Sequence, residues 1–264
     1  MSDHSFDPRL NLSVVVSCSL SRQHPIPFAT IASIIRIAHK YQAQEILDAS
    51  PDRLANFLIP ALGHWIDVVT LSWKERWELG QKQCGITFDG QDAIEAVNLA
   101  RLIDKPLMLP IALYLCCLLD PVQLRNGVTR ADGVLERLSD EDFARCTRAL
   151  PVLGGEYHTI VLRSLDQASL ASPSLCTDCK KRSDAIMRRY IEDIDEERAA
   201  APLSDLLVRI DLRAAPPHLV RPQTIFCAAC RGAWLQSLGK ECVKRRKRFP
   251  EYFALEDLHG WDPE

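Results

Sequence analysis

The sequence predicts an all-α protein, an irregular multi-helix bundle, and three observations carry that reading. Apolar residues recur at a 3.6-residue spacing in most segments after Pro27. Strand signals are sparse, and prolines and glycines punctuate the chain at intervals that suit short helices. With 264 residues the chain can bury a real core, and 47% apolar with 25% charged residues is the balance of a globular protein. A net charge of −3 gives no general pull toward nucleic acid or acidic membranes. This composition excludes a basic coat protein, a collagen-like fibre and a small disulfide scaffold.

Residues 1–25 are polar and lack a sustained period, so they are expected as an N-terminal tail with at most a short strand at Ser13–Ser17. From Pro27 the repeat is helical. Ile31, Ile34, Ile35, Ala38 and Tyr41 mark one face, and Arg36 and Lys40 the other. Ala43–Asp48 predicts a second short helix. Pro51 opens a third, with Leu54, Phe57 and Leu58 on its apolar face. Pro60 and Gly63 break the pattern before Trp65–Trp77 restores it.

A loop is expected over Gly80–Gly90, then a helix over Asp92–Asp104 with Ala93, Ala96, Val97, Leu99, Ala100 and Ile103 inward. Leu107–Leu119 is apolar throughout but shorter than the roughly 20 residues a membrane span needs, so it predicts a buried helix. Ser139, followed by Glu141 and Asp142, is an N-cap with acids in the first turn. That helix is expected to end near Leu150, where Pro151 and Gly154-Gly155 intervene, and to resume over Tyr157–Leu165.

The Ser- and Pro-rich stretch 168–174 is the expected domain boundary, separating residues 26–170 from 171–264. Beyond it Ser183 is expected to cap a helix, Ser204 another, and 214–222 forms a proline-rich loop. A last long helix covers about Cys230–Arg248, and Phe249–Trp261 closes the chain with aromatics.

The phrase Ile37-Ala38-His39-Lys40-Tyr41, with Ile46-Leu47 after it, resembles the "LAxKYxxxxL" phrase in the last helices of a BTB/POZ domain. Ala93–Asp104 followed by Leu109–Cys117, and the ending Phe249–Leu258, are similar to the helical extension of fungal BTB-domain proteins. The resemblance implies a helical protein-interaction scaffold rather than an enzyme. The family's sheet and early helices, which carry much of its dimer interface, have no counterpart before Ile31. The chain is then either a truncated form or one that keeps only the helical scaffold, and neither a family-type homodimer nor docking to cullin-type ubiquitin ligase scaffolds is expected.

Ten cysteines invite a closer look at spacing. Cys18, Cys84, Cys116, Cys117, Cys146 and Cys242 lie in or beside apolar segments, where a reduced thiol packs as a small hydrophobe. Cys176-Thr-Asp-Cys179 and Cys227-Ala-Ala-Cys230 are different. A CxxC turn sets two thiolates on one side of a metal, and two such turns complete the tetrahedral four-sulfur shell that zinc prefers. Lys180, Lys181 and Arg231 follow the pairs and can offset thiolate charge. His218, in the proline-rich loop, is a candidate for a substitute ligand. The alternative is four ordinary reduced thiols. Redox use is disfavoured because no βαβ pattern surrounds either pair.

No convincing signal peptide is visible, so an intracellular protein, cytoplasmic or nuclear and off the membrane, is expected. The basic cluster Lys244–Arg248 suggests nuclear import or nucleic-acid contact, and the competing reading is an exposed helix end. Nucleic acid is not the favoured partner, because the chain offers no wider basic face. His158 in Glu156-Tyr157-His158 and His39 are expected to be structural or surface residues, Glu192–Glu197 a solvated helix end, and the five tryptophans core residues. No catalytic signature is present, and no particular protein partner is indicated.

Overall fold

A computed structural model describes residues 25–44, 46–47, 54–55, 58, 85–130, 132–170, 176–196, 226–256 and 258–261. The expected strand at Ser13–Ser17, the helices at 65–77 and 204 onward, the loop at 214–222 and His218 lie outside these residues. What is described is all-α, with only two-residue strands. No helix among the described residues is long and apolar enough to cross a membrane. The chain divides into two compact units, Met1–Pro60 with Glu78–Phe143, and Ala61–Trp77 with Ala144–Glu264.

In the first unit β1 (Ile26–Pro27) pairs in parallel with β2 (Ile86–Thr87), Ile26 opposite Ile86. The segment expected as a plain loop over Gly80–Gly90 thus holds a strand, too short to show any period. Helix α1 (Phe28–Lys40) buries Phe28, Ile31, Ala32, Ile35 and Ala38 along one stripe. Tyr41 was expected on that stripe but is 66% exposed. The helix stops one residue earlier and Gln42 turns to positive φ, so Tyr41 leaves the helical register and the Lys40 ammonium sits 5.6 Å from its ring centre.

Helix α2 (Asp92–Leu102) buries the expected Ala93, Ala96, Val97, Leu99 and Ala100, whereas Ile103 lies beyond its end and is only half-buried. A short 3-10 turn (Pro106–Met108) leads into α3 (Leu109–Cys117), in which every residue is buried, as its uninterrupted apolar run requires. Helix α4 (Pro121–Asn126) is capped by Asp120, whose carboxylate accepts the Val122 N–H at 2.8 Å. An antiparallel hairpin follows, β3 (Val128–Thr129) against β4 (Leu135–Glu136).

The hairpin delivers Glu136 to a charged cluster the sequence does not reveal. Arg36, assigned by periodicity to the outer face of α1, is instead partly buried and pairs with both Glu95 and Glu136. Arg130 Nη1 reaches Glu136 at 2.7 Å and Glu95 at 3.7 Å, and the Asn98 amide donates to Glu136 at 2.6 Å. Burial pushes the Glu95 carboxyl up, and the two guanidiniums oppose that shift. Shared pairing lets two carboxylates remain in an otherwise apolar core.

Gly127 makes the hairpin possible. Its φ is +88°, and a Cβ there would run into the backbone carbonyl of Glu136. Gly133 has a similar φ of +82° but open space around it. Gly133→Ala is therefore expected to cost about 1 kcal/mol of backbone strain. Gly127→Ala carries that strain plus a steric clash, for about 3 kcal/mol in all. Urea denaturation of the two variants checks the difference. Equal losses would show that the close approach is relieved at no cost.

Helix α5 (Asp140–Leu170) is continuous, and the break expected at Pro151 and Gly154-Gly155 is absent. Its start is as predicted, Ser139 Oγ accepting the Asp142 N–H at 3.1 Å, while buried Asp142 pairs with Arg101 at 2.7 Å. Proline removes one N–H and crowds one turn, a penalty that packing can override. Here Cys146, Ala149, Leu153 and Ile160 bury one stripe on both sides of Pro151 and hold the helix together. The last residues of α5 include 168–170 of the expected boundary, and 171–175 lie outside the described residues.

The second unit continues with α6 (Thr177–Glu196), α7 (Ala228–Lys247) and α8 (Phe249–Tyr252). Ser183 does not cap α6. It lies inside the helix and is fully buried, because the chain becomes helical directly after Cys176. The core contains Trp234, Leu238, Phe249 and Phe253, with the Trp234 indole N–H donating to buried Ser164 on α5 at 3.2 Å. Trp261 is also buried and donates to the Lys247 carbonyl. Trp65, Trp73 and Trp77 lie outside the described residues.

Candidate metal centre

Each CxxC pair sits at the start of a helix. The carbonyl of Cys176 accepts the Lys180 N–H at 2.9 Å, and that of Cys227 accepts the Arg231 N–H at the same distance. These are first-turn i to i+4 bonds, so the two cysteines of each pair lie about one turn apart on one face. Both helix N-termini, with their partial positive charge, are then presented to sulfur.

The two turns meet. The Sγ atoms of Cys176, Cys179, Cys227 and Cys230 all lie within 4.8 Å of one another, although residues 180–226 intervene in the chain. The contacts are reciprocal. The Cys176 N–H donates to Cys230 Sγ at 3.3 Å, and the Cys227 N–H to Cys179 Sγ at 3.3 Å. In each pair the first cysteine is exposed and the second buried, Cys179 at 3% and Cys230 at 8%. Phe226, buried against Trp234 with ring centres 5.6 Å apart, anchors the chain immediately before Cys227.

Three of the thiols are moved from their ordinary values. The Cys230 N–H, with the neighbouring sulfurs, holds the Cys227 thiol down at about 7. At Cys179 the Cys227 N–H lowers the pKa, but burial and the surrounding thiols outweigh it and push the group up to about 12. Cys230 is raised despite the Cys176 N–H, through the Cys227 sulfur and burial. Cys227 therefore releases its proton most readily, and a divalent cation would have to displace the protons held at Cys179 and Cys230. A tetrahedron with metal–sulfur bonds of about 2.3 Å spaces its sulfurs by about 3.8 Å, a small contraction from the spacing found. The donor set, its geometry and the exposed Lys180 and Lys181 beside it fit a metal ion. Among the described residues this is the one such group.

The remaining candidates fall elsewhere. Cys116, Cys117 and Cys146 are buried in helices and Cys242 is half-buried, while Cys18 and Cys84 lie outside the described residues. His39 is exposed on α1. The side chains of His158 and of residues 192–197 are not among those described. The basic cluster is not the exposed helix end expected from charge alone. Arg245 and Arg246 are buried, at 5% and 3%, and only Lys244 and Lys247 are fully exposed.

Arg245 meets a residue that sequence reasoning missed. Glu156, at the middle of α5, pairs with Arg245, with Arg248 at 3.0 Å, and accepts the Tyr252 hydroxyl at 3.0 Å. Burial, with the Glu156 carboxylate as hydrogen-bond acceptor, pushes the Tyr252 hydroxyl well above its ordinary value. The Arg246 guanidinium lies 5.9 Å from the Trp261 ring centre, and desolvation lowers its pKa to about 10. Two of the five cluster cations are thus committed inside the fold and withdrawn from any phosphate backbone. No protein-family model, curated protein or solved structure matches this chain.

Proposed function

We propose that the four cysteines bind one zinc ion as a structural metal, and that the chain is a non-enzymatic protein-interaction scaffold or adaptor inside the cell. The observation that carries the metal assignment is the convergence of four sulfurs within 4.8 Å, with no other donor type in the group among the described residues. An all-thiolate shell selects zinc over harder cations, and four protein ligands leave no coordination position for water or substrate. Such a centre holds shape. Thiolates that must stay reduced suit the cytoplasm or nucleus. The adaptor reading rests on the sequence resemblance to the helices of fungal BTB-domain proteins.

Elemental analysis and affinity capture together test both halves. Purified protein is expected to carry one zinc per chain, and to capture a defined partner from cell extract that chelator-treated protein does not. Failure to retain zinc after loading ends the metal assignment. A capture profile identical to that of bare resin ends the adaptor reading. Burial of Arg245 and Arg246 weighs against the alternative of a nuclear regulator gripping nucleic acid through residues 244–248. Salt-dependent DNA affinity, lost on neutralising Lys244 and Lys247, would reinstate it.

A further inference from the structure

We propose that Cys176 and Cys227 are sites of oxidation by small peroxides, and that their oxidation ejects the metal. The inference rests on the zinc reading above and concerns regulation of that same centre. Its basis is an asymmetry repeated in both pairs. Cys176 and Cys227 are exposed, while Cys179 and Cys230 are buried behind them. A bound cation keeps sulfur as thiolate, the nucleophilic form, and two helix N-termini with Lys180 and Lys181 bring positive charge to the site, against the single carboxylate of Asp178 in the first turn.

Every thiolate also has a resolving partner at hand, since all four sulfurs lie within 4.8 Å of one another. The first step is attack of an exposed thiolate on the peroxide. An S–O bond forms, the O–O bond breaks, and hydroxide leaves to be protonated by solvent. The product is a sulfenic acid. A neighbouring thiolate then attacks that sulfur, forming an S–S bond as a second hydroxide departs. Two thiolates have lost two electrons and the peroxide has gained them. The cation is left with two sulfur ligands instead of four, too few to hold it.

The test uses the full zinc-loaded chain, titrated with hydrogen peroxide. Zinc release is followed with a chromogenic chelator, and disulfides are mapped by mass spectrometry. The expected result is one zinc released per pair of cysteines oxidised, with a disulfide among the four, reversed by a thiol reductant plus zinc. Zinc that stays bound at a peroxide dose that oxidises half-buried Cys242 would overturn the proposal while leaving the structural zinc intact. Oxidation of Cys176 or Cys227 to sulfinic acid without any disulfide would also overturn it. A chain that takes up no zinc at all fails the underlying reading as well.

Discussion

Serine in place of Cys179 or Cys230 is expected to abolish metal retention and to lower thermal stability by roughly 10 °C. The magnitude comes from chain entropy. A metal at the four sulfurs closes the long segment 180–226, and a cross-link across a loop of that size restrains the unfolded chain by roughly 4 kcal/mol. Burying a serine hydroxyl would add a smaller cost of its own, so a second comparison is needed. Chelator added to the wild-type protein should reproduce most of the loss and have no effect on the Cys179→Ser protein. Cys242→Ser is the control. Its sulfur is not part of the cluster, and metal content should be unchanged. Calorimetry with parallel elemental analysis reads every sample. A chelator-insensitive melting temperature in the wild type would remove the structural role.

Glu156→Ala is expected to cost about 3–5 kcal/mol, because it strands a buried guanidinium. Arg245 is 5% exposed and has Glu156 as its close partner, with Glu241 further off at 3.7 Å. The Tyr252 hydroxyl loses its acceptor in the same variant. Arg248→Ala removes a partner whose side chain is 43% exposed, and should cost less than about 1 kcal/mol. The double variant Glu156→Leu with Arg245→Met removes both charges and should recover much of the loss, since an apolar pair avoids desolvation altogether. Urea denaturation of the series provides the measurement. Equal costs for Glu156→Ala and Arg248→Ala would show that the Arg245 pair contributes nothing of its own.

The metal cluster and the Glu156 cluster differ in how far their residues could be found without coordinates. Both CxxC pairs are short-range patterns, because two sulfurs one turn apart are set by local backbone geometry alone. Glu156 carried no such signal. Its partners Arg245, Arg248 and Tyr252 lie far along the chain, and Pro151 with Gly154-Gly155 suggested that α5 ended before reaching it. Local propensity predicted a break, and packing of Cys146, Ala149, Leu153 and Ile160 overrode it. Arg36 illustrates the same limit. Periodicity marks a charged residue as outward-facing, and only the positions of Glu95 and Glu136 turn it into a core ion pair.

Alone, the sequence determined the helical class, the apolar stripe of α1, the fully buried α3, the Ser139 cap and the four cysteines as paired ligand candidates. These depend on neighbours within a few residues, where spacing and side-chain type already dictate the energetics. Tertiary structure decided that the two cysteine pairs meet, that Ser183 lies inside a helix, and that Arg245 and Arg246 are enclosed rather than displayed. Each of those outcomes turns on which distant segment lies alongside, and pairing across long loops is set by the sum of packing and desolvation over the whole unit.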